Sequence, residues 1–173
     1  MNLIAIVTLV MVLTLISHSS NDMTEVNFFT GEIEIPSQAE LIAFVNNNYT
    51  EVLGGFEILS SYTADWQSGV NNLKALKSIQ HIKGDLIIRG SLIRSLEGLN
   101  NITVIDGNFE IDGARELKNF NALEKLIRVG EEINIYRNKS LSYMEGLGGL
   151  TSFGSKFYSG FHEILTDFCA LKL

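Results

Sequence analysis

The sequence predicts a mainly β protein, a right-handed parallel β-helix of about five coils with a short N-terminal capping helix. One observation is a repeated phrase in which an apolar residue and a glycine or polar residue precede alternating apolar residues. The phrase occurs at 52–58, 82–88, 105–111, 129–135 and 153–159, with intervals of 30, 23, 24 and 24 residues between its central positions. A second observation is the apolar residue at every third position that follows each phrase. Such a unit cannot bury its own apolar side, so we expect stacked units to share one core.

Equivalent positions of the units form columns that predict ladders through this core. The strand positions give the column Phe56, Leu86, Phe109, Ile133 and Phe157. The every-third positions give further columns, of which one is Leu99, Leu123, Leu147 and Leu171. Each strand is short, and we expect one strand per coil in a parallel sheet. The segments "EGLNN" and "EGLGG" argue against a long helix, because glycine and asparagine are poor residues for a helix interior.

Residues 1–20 are predicted to be a secretory signal peptide. Leu3 to Ile16 form an uncharged apolar run that is short for a membrane span, and small polar residues follow it, so cleavage is expected near Ser19 or Ser20. The segment before the run contains no Lys or Arg. The alternative is therefore an uncleaved anchor, and contact with a membrane is expected only if this segment is retained.

Residues 21–48 are predicted to contain a lead-in strand and the capping helix. Ser37 and Glu40 have the spacing of a capping box, and Leu41, Ile42 and Val45 form one apolar stripe. We place the helix at residues 38–46, where it closes the first coil.

Residues 49–173 hold the repeats, and we find no segment that closes the last coil. An uncovered end is expected to be covered by another molecule, including by self-association. The chain has one cysteine, Cys169, so no internal disulfide is expected, and its neighbours Phe168 and Ala170 indicate a small buried side chain.

The stretches "QAELIAFVNNNYTEVLGGFEI", "IKGDLII", "SLEGLNNITVIDGNFEI" and "LTDFCAL" resemble the receptor L-domain-like repeat family, a group of leucine-rich-repeat-like β-solenoid proteins. The resemblance covers residues 33–173. It implies a right-handed β-helix, an extracellular or cell-surface location and a binding role. Receptor-type members carry disulfides near their ends, which a single cysteine cannot form.

Composition limits the classes of partner. The formal net charge of −7 argues against nucleic acid, because phosphate binding needs a basic surface. The three histidines, His18, His81 and His162, show no metal-ligand spacing, and no phosphate-binding glycine motif is present. No metal or other cofactor is expected. Asn48, Asn101 and Asn138 match the glycosylation acceptor pattern, which matters only in a eukaryotic source.

Between the inward strand residues lie outward ones, and these are the candidate ligand-binding residues. The set is Arg89, Asp112, Asn134, Tyr136 and Tyr158. Aromatic side chains beside polar ones are typical of recognition surfaces. The sequence therefore predicts a non-catalytic, secreted or cell-surface module that recognises or adheres to an extracellular protein or glycan.

Two alternatives remain open. Glu110 and Asp112 lie two apart on one strand, at a separation of about 6.6 Å that suits two carboxylates in glycoside hydrolysis. No histidine or third carboxylate joins them in register, and pairing of Arg89 with Asp112 on a solvated face explains them without catalysis. We therefore expect that the protein is not an enzyme and has no catalytic residues. The second alternative is a structural or vestigial truncated repeat protein.

Overall fold

The computed structural model describes residues 27–59, 69–90 and 92–165 of the 173-residue chain. The predicted signal peptide, Cys169 and Leu171 lie outside these residues. Among the described residues, no helix has both the length and the apolar character needed to cross a membrane.

Twelve strands of the described residues form two parallel sheets, and the chain alternates between them. The first sheet contains two-residue strands, in the order β1 (Phe28–Phe29), β3 (Glu51–Val52), β5 (His81–Ile82), β7 (Val104–Ile105), β9 (Arg128–Val129) and β11 (Ser152–Phe153). The second sheet contains the longer strands, in the order β2 (Ile33–Ile35), β4 (Phe56–Leu59), β6 (Leu86–Arg89), β8 (Phe109–Asp112), β10 (Ile133–Tyr136) and β12 (Phe157–Gly160).

The predicted fold class is wrong. A right-handed parallel β-helix of about five coils with one strand per coil was expected, but the described residues form two six-stranded parallel sheets with one α-helix, and no closed solenoid is found. The error lies in the first residues of the repeated phrase, which were interpreted as part of a turn. The residues before each glycine turn form a short strand of their own, as Val104–Ile105 does before Phe109–Asp112. Residues 28–35 add a further unit that the repeated phrase did not reveal.

The predicted strand ladder is confirmed. The register pairs Phe56 with Leu86, Leu86 with Phe109, Phe109 with Ile133, and Ile133 with Phe157. The four members from Phe56 to Ile133 are at most 2% exposed. The buried residues of both sheets and of the connections form one hydrophobic core. Equivalent positions must therefore be apolar in every unit, which explains the repeat.

The every-third apolar positions lie in short turns of the 3₁₀ type rather than in α-helices. Leu99 donates its backbone N–H to Leu96, and Ile102 donates to Leu99, each across three residues. The same pattern runs through the next units, and short 3₁₀ helices lie at Lys74–Ser78 and Asn121–Leu123. Because three residues complete one such turn, every third side chain points to the same side. That side is the core.

The helix α1 (Gln38–Val45) begins as predicted and ends one residue earlier than predicted. Ser37 caps its N-terminus, since its side-chain oxygen accepts from the backbone N–H of Glu40 at 3.3 Å and its hydroxyl donates to the Glu40 carboxylate at 2.9 Å. The predicted apolar stripe is partly wrong. Leu41 is buried, but Ile42 is 50% exposed and Phe44 takes its place against Phe56.

Candidate functional site

The candidate binding residues lie on one side of the second sheet, which we call the outer face. Strand alternation places two columns there, and the register keeps each column in line across the sheet. The first column is Glu34, Glu57, Ile87, Glu110, Asn134 and Tyr158. The second column is Leu59, Arg89, Asp112, Tyr136 and Gly160. All five predicted binding residues therefore lie on this face, although Asp112 is buried within it.

The middle of the outer face is occupied by ion pairs. Arg89 donates to Glu110 at 2.8 Å and to Glu57 at 2.5 Å. Burial alone would lower the pKa of Arg89, but the hydrogen bond and charge of Glu110 and the charge of Glu57 raise it overall. The expected pairing of Arg89 with Asp112 is absent, because Arg137 holds Asp112 through two hydrogen bonds, one of them 2.7 Å from Nε to Oδ1. Only 8% of the Asp112 side chain is exposed.

The end of the outer face at β10 and β12 is aromatic. The rings of Tyr136 and Tyr158 stack with centroids 6.5 Å apart and planes at 28°, and Tyr158 is 41% exposed. The Lys156 ammonium lies 5.7 Å from the Tyr158 ring centroid and 3.5 Å from Glu132. Tyr158 and then Glu132 raise the pKa of Lys156. This end offers aromatic surface beside Lys156, whereas the middle of the face consists of ion pairs.

Two further residues at this end were missed by sequence reasoning. Arg137 follows β10 and Phe161 follows β12, and both have left-handed backbone conformations, with φ of 53° and 58°. The equivalent positions after β6 and β8 are Gly90 and Gly113, with φ of 130° and 73°. Arg137 and Phe161, together with Tyr136, line an open cleft of about 370 Å³, which we call the aromatic cleft. The glycine spacing in the sequence could have revealed this column, since Arg137 and Phe161 continue it.

Sequence reasoning also missed the hydrogen bonds of His162. His162 Nε2 lies 2.9 Å from the Ser159 hydroxyl, and its Nδ1 lies 3.2 Å from the backbone carbonyl of Asn138. Ser159 pairs in register with Ile135, so it continues an inward column with a polar residue. A hydroxyl bonded to an oriented imidazole is the geometry of an activated nucleophile. Here the inward position of Ser159 favours a structural role at the end of the sheet.

The pH dependence of stability should report on His162. Burial lowers its pKa below the ordinary value of 6.5, although backbone hydrogen bonds to Asn138 and Ile135 act in the opposite direction. The unfolded chain therefore binds a proton at this position more readily than the folded chain, and stability falls as the pH falls through and below 6.5. We expect His162→Gln to flatten the unfolding free energy between pH 7.5 and 5.5, as measured by urea denaturation. An identical pH slope in the variant would show that His162 contributes nothing.

Within residues 27–59, 69–90 and 92–165, no group of three or more His, Cys, Asp or Glu residues is arranged to hold a metal ion. Comparison of the chain with protein-family models, with curated proteins and with solved structures found no match.

Proposed function

We propose that the chain is a non-catalytic recognition module, secreted or displayed at the cell surface, which binds an extracellular protein or glycan through the outer face. The observation that carries the proposal is the stacked pair of the half-buried Tyr136 and the exposed Tyr158 beside the aromatic cleft. Tyrosine, phenylalanine and arginine are enriched at recognition surfaces, where a few such residues carry most of the binding energy. The apolar run of residues 3–16 and the resemblance to receptor L-domain-like repeats support the same location and role.

The paired charges also favour binding over hydrolysis. Glu110 already accepts a hydrogen bond from Arg89, and Asp112 accepts two from Arg137. A glycosidase needs one carboxyl group on the leaving oxygen and the other on the sugar or on water. Both carboxylates point their oxygens at arginines of this chain instead.

The double variant Tyr136→Ala/Tyr158→Ala is expected to weaken ligand binding at least tenfold, because it removes the aromatic surface while the inward columns keep the fold. Arrays of glycans and of secreted protein ectodomains would supply the ligand, and surface plasmon resonance the affinity. Tyr143→Ala is the matched control, since this tyrosine is 47% exposed but lies in a connection rather than on the outer face. Equal affinities for the wild-type and double-variant chains would remove this surface from consideration.

For the enzyme alternative, we expect no release of reducing sugar from a panel of polysaccharides. The comparison is with Glu110→Gln/Asp112→Asn, which keeps the side-chain shapes but removes both charges. Turnover by the wild-type chain that disappears in this variant would establish catalysis at these residues.

A further inference from the structure

The aromatic cleft is built from residues that the backbone does not favour. A left-handed conformation costs a non-glycine residue about 1–2 kcal/mol relative to the right-handed one. Two earlier units use glycine at this position, yet the last two described units use Arg137 and Phe161. Strained residues of this kind concentrate at functional sites. Phe161 is also 81% exposed. Packing of its side chain in the core therefore cannot be the reason for its strained backbone.

The surroundings of the cleft indicate what it would receive. Tyr136, Arg137 and Phe161 line it with mostly apolar surface, and Nε and Nη2 of Arg137 are held by Asp112. A sugar offers many hydroxyl groups that need hydrogen-bonding partners, and this cleft has few. An apolar side chain has no such requirement and gains from leaving water. The cleft therefore suits an apolar side chain of a protein better than it suits a glycan.

The opposite end of the outer face is acidic. A second depression, of about 270 Å³, is lined there by Glu32, Glu34, Glu57 and Asp85, which we call the acidic depression. Arg89 pairs with Glu57, but it also pairs with Glu110 on the neighbouring strand. Its single positive charge therefore does not neutralise the four carboxylates of the acidic depression. The whole chain carries a formal net charge of −7. A partner that spans both ends would be complementary if it placed basic residues over this depression.

The sheet sets the distance between the two ends. The acidic depression includes β2 and β4, and the aromatic cleft includes the ends of β10 and β12. The two sites are therefore three to five strand spacings apart, or about 14 to 24 Å. An extended peptide advances about 3.3 Å per residue. It therefore covers the distance in about four to seven residues when it runs across the strands.

We infer that the aromatic cleft receives an apolar side chain from an extended segment of a partner protein, and that basic residues about four to seven positions away occupy the acidic depression. This inference rests on the proposed function, because it assigns a partner class to the same outer face. Phe161 and Tyr136 hold the apolar side chain, and Glu34 and Glu57 attract the basic residues.

The probe is a set of synthetic fluorescent peptides in which two arginines and one phenylalanine are separated by zero to eight Ser and Gly residues. A matched set carries glutamates in place of the arginines. By fluorescence anisotropy, the arginine peptides with about three to six intervening residues are expected to bind most tightly, and more weakly as salt is added. Phe161→Gly should weaken their binding at least tenfold, while the free energy of unfolding is unchanged or higher because glycine relieves the backbone strain. Glu34→Gln should weaken it several-fold and reduce the salt dependence.

Ile42→Ala is the matched control, because it removes an apolar side chain that is 50% exposed on α1 rather than on the outer face. The inference is overturned if the glutamate peptides bind equally well, or if Phe161→Gly leaves the affinity unchanged. It is also overturned if Phe161→Gly converts a dimer to a monomer in analytical ultracentrifugation, which would make a second copy of the chain the occupant. A glycan that binds the wild type but not the Tyr136→Ala/Tyr158→Ala variant would overturn the peptide inference and leave the proposed function standing. The proposed function itself fails only if the array ligands bind the Tyr136→Ala/Tyr158→Ala variant as tightly as they bind the wild type.

Discussion

Replacing Gly146 with alanine is expected to lower the free energy of unfolding by about 2 to 5 kcal/mol. Gly146 has φ of 98°, and a Cβ added there would lie 1.8 Å from the backbone carbonyl oxygen of Phe120, one unit earlier. The obstacle is backbone, which cannot move aside without separating two stacked units. Urea denaturation followed by circular dichroism would give the free energy.

Gly31→Ala is the matched control for this prediction. Gly31 has φ of 108°, close to that of Gly146, but an added Cβ would meet nothing within 4 Å. Its expected cost is about 1–2 kcal/mol, from backbone conformation alone. The difference between the two variants isolates the cost of the close approach between units. Equal costs would mean that the units at Gly146 can separate freely, against the structure.

Replacing Asn138 with alanine is expected to lower the free energy of unfolding by about 2 to 4 kcal/mol. The Asn138 side chain is fully buried, accepts from the backbone N–H of Ala114 at 2.8 Å and donates to the carbonyl of Ile111 at 3.0 Å. Alanine would leave both backbone groups buried without a partner. The same denaturation measurement applies.

Asn101→Ala provides the comparison, because Asn101 is also an asparagine in a connection between units. Its side chain donates to the carbonyl of Lys77 at 2.8 Å, but at the surface, where water can replace the lost bond. We expect a loss below about 1 kcal/mol. An Asn138 variant as stable as the Asn101 variant would contradict the buried hydrogen bonds.

The burial of Asn138 also makes this acceptor sequence a poorer place for a glycan than the exposed Asn48.

The positions that face the core were predictable, and Phe109 illustrates why. It lies between Leu86 and Ile133 in register, and each of the three is buried. Burial restricts such a position to apolar residues in every unit, so the restriction is visible as a column in a single sequence. The helix was predictable for a different reason, because its capping residues Ser37 and Glu40 interact with each other within the helix terminus.

The charge pairs were not predictable, and Arg89 shows the reason. Its carboxylate neighbours on adjacent strands, Glu57, Glu110 and Asp112, are all within one or two rows of it in the register. Long side chains choose among such neighbours by rotamer and by competition, and Arg137 competes for Asp112 from outside the strand. Strand register alone therefore could not assign these pairs.

The sequence by itself determined the repeat, the inward columns and the residues of the outer face, because apolar burial leaves a periodic trace in the chain. Only the tertiary structure decided that each unit contributes strands to two open sheets, since two-residue strands are too short to show an alternating pattern. It also decided that Arg137 and Phe161 meet Tyr136 in one cleft. Their left-handed backbone is imposed by the turn that follows each strand; an arginine or phenylalanine does not itself indicate that conformation, and only the spacing from Gly90 and Gly113 points to it.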